Sequence, residues 1–310
     1  EQLQRSPTAK FEPDERVNPA HVAFLIKKPS SNAEVDAEMP LWVRWLQPLF
    51  CGIYTVDNID YSLRDAYMCG ISSSYVDMER LRFYTFFTDE GLTFHQAGLS
   101  ALEMYLKSRW YLYRNVYYHR TVRGIDRQLS FIFRDTITHI LGGDPREKLD
   151  RYVNLTDYSL LETVNTWHKS ENADKRRLAS DWRKIVERKV MWKSVFETEL
   201  PVHSTSSDET LSPENIRAAV FDKLPEDSRD IPFEIDLASH DPRPVNPGIF
   251  KDEKLAVYNP ATKRIDLKSV SQLFPHLPGW VTIVRVYTTR PGGAIQLANA
   301  CESAMQEFER

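Results

Sequence analysis

The clearest structural pattern in the sequence lies in Ala101–Arg123, which reads ALEMYLKSRWYLYRNVYYHRTVR. In and around it, apolar and aromatic side chains recur every three or four residues, the repeat of a helix with one buried face: Leu99, Leu102, Leu106, Trp110, Tyr113, Val116 and Tyr117. From Leu99 to Phe133 the only weak helix breaker is Gly124. The pattern therefore predicts either one long helix or two helices joined near Arg120–Gly124.

Outward from this stretch, the chain keeps a helical pattern over most of its first 200 residues. Leu41–Ile140 is predicted to be helical, and the Gly-Gly-Asp-Pro run at residues 142–145 stops it. Asp157–His168 and Asp174–Leu200 are predicted to form two further helices. Ser212 and Pro213 then begin a short helix, with serine as N-cap and proline in the first turn.

Later in the chain the repeat changes to two residues, which is typical of strands. The alternating segments are Phe233–Leu237, Leu255–Tyr258, Ile265–Leu267 and Val281–Tyr287. The run at 259–263 predicts a hairpin, and a helix is expected over Ala294–Phe308. The fold class is thus mainly α with a small antiparallel β lobe (α+β). We expect a helical domain at 1–200 and a C-terminal mixed α/β lobe at 201–310.

The composition is that of an ordinary globular chain. Its 310 residues include 40 Lys plus Arg and 44 Asp plus Glu, a net charge of −4, and 42% are hydrophobic. No apolar run approaches the ~20 residues of a membrane span, and the near-neutral charge argues against a general nucleic-acid coat protein. The three cysteines form no Cys-x-x-Cys pair, and no two glycines stand in Gly-x-Gly. The cysteines therefore imply neither a disulfide framework nor a structural zinc site, and the glycines exclude a dinucleotide fingerprint and a P-loop. We expect a cytoplasmic protein without a membrane partner.

A first stripe combines two carboxylates and a phenol. Asp57, Tyr61 and Asp65 are spaced four and four, so on a helix they share one face, with neighbouring Cβ atoms roughly 5–6 Å apart. Buried carboxylates need a cation, a metal or several donors, and divalent metals bind Asp oxygen readily. The alternative is a solvated acidic face in which Arg64 pairs with Asp60.

A second stripe lies between Tyr105 and Arg127, where Asn115, His119 and Arg123 are again spaced four and four. The interval holds six Lys or Arg side chains against one Asp, a net charge of +5, with six aromatic residues interleaved. Arginine beside an aromatic ring can hold phosphate and stack a base, and the same features suit single-stranded nucleic acid. An amphipathic helix with snorkelling arginines and a structural His119 explains the pattern equally well.

Together the stripes indicate a phosphohydrolase, because a metal can activate water while cations neutralise phosphate oxygens. The same segments resemble the HD-domain deoxynucleoside triphosphate triphosphohydrolases, which include bacterial dNTPases and the vertebrate SAM-and-HD-domain enzyme. Val56–Asp65, VDNIDYSLRD, is similar to the family's V-D-x-x-D-Y-x-x-R-D helix. Ala101–Arg123 is similar to its A-x-x-x-Y-x-x-x-R-x-x-M-Y-x-x-V-Y-x-H-x-T-V-R helix. The resemblance covers about Leu41–Leu200 and implies an HD-domain-like helical body.

The resemblance implies a divalent metal, with Mg, Mn, Fe and Zn all open, and Asp57 as the aspartate that closes its site. The family takes one histidine and a His-Asp pair from preceding helices, whereas the only histidine upstream here is His21. His240-Asp241 lies in a proline-rich turn and is interpreted as a coincidence. The opening residues read as the end of a helix, so we expect the missing ligands on another segment of the protein or on a partner chain. Without them the protein is a pseudoenzyme.

The resemblance also implies roles in substrate binding. Tyr61 and Asp65 match positions that recognise the deoxyribose and its 3′-hydroxyl. His119 matches a histidine that faces the nucleotide, and we expect it to be catalytic. Arg114 and Arg123 are the candidates for binding phosphate.

The expected function is a metal-dependent phosphohydrolase of deoxynucleotides that converts a dNTP to deoxynucleoside plus triphosphate. One alternative is a catalytically incomplete nucleotide sensor or scaffold on the same fold, and another is a single-stranded nucleic-acid binder. By resemblance we expect a homo-oligomer, either a dimer or a tetramer.

Overall fold

A computed structural model describes residues 16–26, 39–52, 55–71, 76–201, 211–240, 254–277 and 281–308. The chain packs into two compact units. Unit one comprises residues 1–113 and 240–280, and unit two comprises 114–239 and 281–310. Each unit draws on both sides of residue 200, and the division into domains at 1–200 and 201–310 stays a prediction.

The helices and strands follow one another along the described residues. The helices are α1 (Pro19–Ile26), α2 (Leu41–Leu46), α3 (Pro48–Cys51), α4 (Val56–Met68), α5 (Met78–Phe83), α6 (Leu99–Leu112), α7 (Arg120–Leu141), α8 (Leu149–Val153), α9 (Asp157–Thr166), α10 (Ala173–Val186), α11 (Pro213–Lys223), α12 (Val270–Leu273) and α13 (Ala294–Met305). The strands are β1 (Thr85–Thr88), β2 (Gly91–His95), β3 (Lys193–Pro201), β4 (Phe233–His240), β5 (Lys254–Asn259), β6 (Arg264–Ser269) and β7 (Val281–Thr288). None of these helices is both long and apolar enough to cross a membrane.

The predicted fold class, mainly helical with small sheets, is confirmed. The sheets differ in one respect from the expected antiparallel lobe. The sheet of unit one has the order β1-β2-β5-β6, and its central pair, β2 with β5, is parallel, so this sheet is mixed. The sheet of unit two has the order β3-β7-β4, with β3 and β7 antiparallel.

In unit one, helix α6 packs against the sheet and against helices α4, α5 and α12. Its buried residues share a core with both sheet and helix side chains: Leu81, Phe94, Ala101, Leu102, Tyr105, Leu106, Leu255, Val257 and Val270. The hairpin predicted at 259–263 is confirmed, since Asn259 pairs with Arg264 at its closed end.

The hairpin formed by β1 and β2 corrects the prediction that Leu41–Ile140 is helical throughout. Its aromatic and β-branched residues favour strands, and Gly91 takes a φ of 87°, the left-handed conformation that glycine adopts without strain at a turn. The apolar periodicity of the surrounding helices hid this short segment.

In unit two, the sheet has an apolar face that packs on α11 and α13. The shared core includes Leu200, Ile216, Val220, Phe233, Ile235, Val284, Val286, Leu297 and Ala300. Helix α7 approaches the sheet closely at Gly124, where a Cβ atom would lie 3.0 Å from the Trp192 carbonyl oxygen and 3.4 Å from the Tyr287 ring. A second core lies between α7, α9 and α10, around Ile132, Val164, Leu178 and Trp182.

Two predicted helix boundaries need correction. The helix expected over Asp174–Leu200 ends at Val186, and Lys193 begins a strand that pairs with β7. The segment Leu99–Phe133 is two helices, the second of the two predicted possibilities. A π-helical turn over Tyr113–Tyr117 and an extended residue at His119 separate them.

Candidate functional site

Helix α4 places the predicted acidic stripe on one face. Thr55 caps the helix by accepting the Asn58 N–H at 3.2 Å, and its hydroxyl also donates a short hydrogen bond to the Asp57 carboxylate. The helical conformation runs unbroken from Val56 to Met68, so Asp57, Tyr61 and Asp65 lie one turn apart along α4 as predicted.

A solvated ion pair lies beside this face. Arg64 Nη1 is 2.8 Å from Asp60 Oδ2, with both side chains about three-fifths exposed. Arg64 Nε also lies 3.9 Å from Asp65 Oδ1. The Arg64–Asp60 pair expected for a solvated acidic face is therefore present. Arg64 pairs with Asp60 and lies near Asp65, but it does not pair with Asp57.

The residue that Tyr61 meets on α6 is an arginine. The guanidinium carbon of Arg109 lies 5.7 Å from the centre of the Tyr61 ring and 5.5 Å from that of Tyr113. The two phenol oxygens are 3.2 Å apart. With Tyr105, these residues form what we call the tyrosine–arginine cluster: Tyr61, Tyr105, Arg109 and Tyr113.

Arg109 is unusual because it is a buried cation. Its exposure is 7%, and neither Nε nor Nη1 makes a hydrogen bond to the part of the chain that the structure describes. Two of its three nitrogen atoms thus lack acceptors, which is costly because a buried charge has lost its hydration. An anion is the kind of ligand that would supply the missing acceptors.

Burial also sets the protonation of the phenols around Arg109. It raises the pKa of Tyr61 well above its usual range; the Arg109 cation opposes this increase, and the hydrogen bond with Tyr113 adds to it. Burial likewise raises the pKa of Tyr105, against the effect of Arg109, and the charge of Asp57 contributes to the increase. Tyr61 and Tyr105 are therefore neutral hydroxyls near pH 7, and Asp57 is close enough to act on the cluster.

The site residues predicted from the sequence did not include Tyr105, Arg109 and Tyr113. The sequence contained a signal for these residues, since they are spaced four and four and lie on one face of α6 and its C-cap. The stripe of Asn115, His119 and Arg123, which has the same spacing, supplied the predicted site residues His119 and Arg123 instead. That stripe does not exist as one helical face, because the π-helical turn and the extended residue at His119 interrupt it.

The remaining predicted site residues lie in unit two. His119 is exposed and is the N-cap of α7, where its Nδ1 accepts the Thr121 N–H at 3.3 Å. Arg114 forms a two-pronged ion pair with Glu199, at 3.0 and 2.6 Å. A phosphate at Arg114 would have to compete with a carboxylate.

Arg123 is paired even more closely. Its Nε donates to Asp236 at 2.9 Å, a second hydrogen bond from its Nη2 is shorter, and the Asp236 side chain is 2% exposed. This hydrogen bonding, opposed by burial, raises the pKa of Arg123. Arg127 pairs with Glu234 through Nη2 alone, at 2.6 Å, and its Nε makes no hydrogen bond to the described residues. The basic stripe of α7 therefore joins the helix to carboxylates of β4.

The described side chains do not by themselves make a metal site. No three His, Cys, Asp or Glu residues within the described ranges are grouped so that they could share one ion. Asp57 provides one oxygen donor group, whereas a stable site needs several ligands. Of the His240-Asp241 dipeptide, His240 is the last residue of β4 and Asp241 lies outside the described residues.

Comparisons with known proteins agree with a link to nucleotide hydrolases over part of the chain. Over 128 residues the chain is 27% identical to a Dictyostelium discoideum protein named deoxynucleoside triphosphate triphosphohydrolase SAMHD1 homolog, covering 41% of this chain and 24% of that protein. Over 169 residues it is 26% identical to the uncharacterized protein YwfO of Bacillus subtilis, covering 50% of this chain and 36% of that protein. No family model matches.

A solved structure shares the fold. A hypothetical protein from Aquifex aeolicus superimposes with a TM-score of 0.58 at 20% identity, over 87% of this chain and 62% of that one. The chain thus spans about a third and a quarter of the two sequence relatives and under two thirds of the solved structure.

Proposed function

We propose that this chain binds deoxynucleoside triphosphates and takes part in their hydrolysis to deoxynucleoside and triphosphate. The named activity of the Dictyostelium relative supports this proposal, as do the matching segments around Asp57 and His119. The binding site is proposed to lie in unit one, at the face of α4 and the adjoining stripe of α6.

The observation that carries the proposal is the buried Arg109 beside Tyr61. A polyphosphate offers several anionic oxygens, and hydrogen bonds from a guanidinium to such oxygens are strong where water is excluded. No described carboxylate forms an ion pair with Arg109, in contrast to Arg114 and Arg123. Arg109 is therefore the arginine of this chain that we propose for the phosphates.

The other residues keep the roles proposed from resemblance. Tyr61 is a neutral hydroxyl and Asp65 a carboxylate on the same face, so together they offer a donor and an acceptor for sugar hydroxyls. Asp57 is proposed as one ligand of a divalent metal whose other ligands lie outside the described residues. His119 remains the proposed catalytic histidine, with Arg114 and Arg123 as secondary phosphate candidates. Since the described donors do not complete a metal site, we derive no reaction step through the metal.

The test is product analysis with the complete protein. Each dNTP is incubated with the protein and Mn²⁺ or Mg²⁺, and the products are separated by ion-exchange chromatography. We expect equal amounts of deoxynucleoside and inorganic triphosphate, and loss of both products in Asp57→Asn. Asp60→Asn is the matched control, because it removes the same charge from an exposed position of α4 and should keep activity. Absence of both products from the wild-type protein would refute the hydrolase.

A second candidate is a nucleotide sensor that binds without turnover. The incomplete set of metal ligands among the described residues favours it. Tight dNTP binding with no product would identify the sensor. Binding to single-stranded nucleic acid has less support than the sequence indicated, because Glu199, Asp236 and Glu234 neutralise three arginines of the basic stripe. Such binding would weaken steeply with salt.

A further inference from the structure

The bond between the Tyr61 and Tyr113 hydroxyls lies at the edge of the buried Arg109. The two rings come from different helices, and each approaches the guanidinium within the range of a cation–π contact. Both tyrosines are partly exposed, whereas Arg109 is buried. Each ring therefore lies against the guanidinium, and the 3.2 Å contact between their hydroxyls joins one ring to the other.

The burial of the Arg109 nitrogen atoms affects how an anion can bind them. Nε and Nη1 are shielded from solvent as well as unpaired. If the two rings provide this shielding, an anion reaches these donors only when a ring moves, and the contact between the two hydroxyls resists that movement. A neutral hydrogen bond of this kind contributes a modest net free energy, so it can delay access without preventing it.

We propose that Tyr113 controls access to Arg109, by holding the Tyr61 ring closed over the guanidinium through their shared hydroxyl bond. This inference rests on the proposed function, since it assumes that Arg109 binds the phosphates of the substrate. Tyr113 acts through Tyr61 and is thus a positioning residue. Its location supports the role, because Tyr113 is the first residue of the π-helical turn, where the α6 helix ends.

The proposal predicts that removing a hydroxyl group strengthens anion binding. Tyr113→Phe keeps the ring against Arg109 and removes only the hydroxyl. The open arrangement then costs less, and the affinity for an anion should rise about 2- to 12-fold, the range that corresponds to one net hydrogen bond. A hydroxyl that contacted the anion directly would produce the opposite result, namely weaker binding.

The experiment is a double-mutant cycle read by calorimetric titration with inorganic triphosphate, a probe without a sugar. Wild type, Tyr61→Phe, Tyr113→Phe and the double variant are compared in the complete protein. Because either single change removes the bond between the two hydroxyls, we expect each to tighten binding and the double variant to fall short of the sum of the two effects. Tyr67→Phe is the control, since Tyr67 lies on α4 with 80% exposure and should bind as wild type does.

Several outcomes overturn the proposal. Weaker or unchanged binding in Tyr113→Phe contradicts it, and so do independent, additive effects of the two hydroxyls. If the wild-type protein hydrolyses dNTPs while Tyr113→Phe binds triphosphate no more tightly, the access role fails and the proposed function stands. If no variant binds triphosphate and no dNTP is cleaved, both fail.

Discussion

Replacing Arg109 by Met should move stability and ligand binding in opposite directions. The change removes a buried charge with two unpaired nitrogen atoms and keeps an apolar side chain of similar length. Relief of the two unpaired groups gains roughly 1–3 kcal/mol each, and loss of the two ring contacts costs about 0.5–2 kcal/mol each. Combined, these ranges run from a loss of about 2 kcal/mol to a gain of about 5 kcal/mol in the free energy of unfolding, with a stabilisation of about 1.5 kcal/mol at their centre.

Binding should respond in the other direction. Two charged hydrogen bonds to phosphate oxygens contribute about 3 kcal/mol or more together, which is a loss of roughly 100-fold in affinity. The assays are urea denaturation for stability and calorimetric titration for inorganic triphosphate. Lys107→Met is the matched control, because it removes a positive charge from the exposed side of the same helix, where Lys107 pairs with Glu103 at 2.7 Å. Destabilisation of Arg109→Met by more than ~2 kcal/mol, or triphosphate binding equal to that of wild type, would contradict the role of Arg109 as a buried phosphate ligand.

Three further predictions concern the scaffold. Arg123→Met should destabilise the protein by about 3–5 kcal/mol in urea, since it leaves the buried Asp236 carboxylate unpaired; recovery of most of this loss in Arg123→Met/Asp236→Asn is expected, and an unchanged Arg123→Met would contradict the pairing. Gly98→Ala should lower the free energy of unfolding by about 1–3 kcal/mol, because its Cβ would lie 2.5 Å from Tyr84 Cβ; a melting temperature equal to that of wild type would disprove the close approach. Burial raises the pKa of the Cys301 thiol from 9.0 to about 12, so a thiol reagent at pH 8 should label the exposed Cys69 and spare Cys301 in the native protein. Labelling of native Cys301 at pH 8 would contradict its burial. The contribution of this thiol to stability is complete below pH 9 and is lost as the pH rises towards 12.

Helices with a clear apolar repeat were predictable because their own residues set the pattern. The face of helix α4 that carries Asp57, Tyr61 and Asp65 follows from their spacing of four and four residues. Ser212 and Gly142 mark helix ends by local chemistry, a capping hydroxyl and a left-handed backbone, and both ends occur as predicted. Local signals of this kind need no knowledge of distant partners.

The roles of the arginines could not be inferred in the same way. Arg123 meets Asp236, and Arg114 meets Glu199, each far along the chain, so charge and spacing within one helix made both resemble phosphate ligands. Arg109 had the same composition around it but meets tyrosines, and only the packing of α6 against α4 shows that it is buried. The strand over Lys193–Pro201 likewise depends on pairing with β7, a distant partner.

We propose that a deoxynucleotide binds at the face of α4 and α6 in unit one. The decisive measurement is hydrogen exchange of the complete protein with and without a non-hydrolysable dNTP analogue. We predict slower exchange in peptides that cover Val56–Met68 and Leu99–Tyr113, and loss of this protection in Arg109→Met. Protection confined to other parts of the chain, or equal protection in Arg109→Met, would contradict the claim.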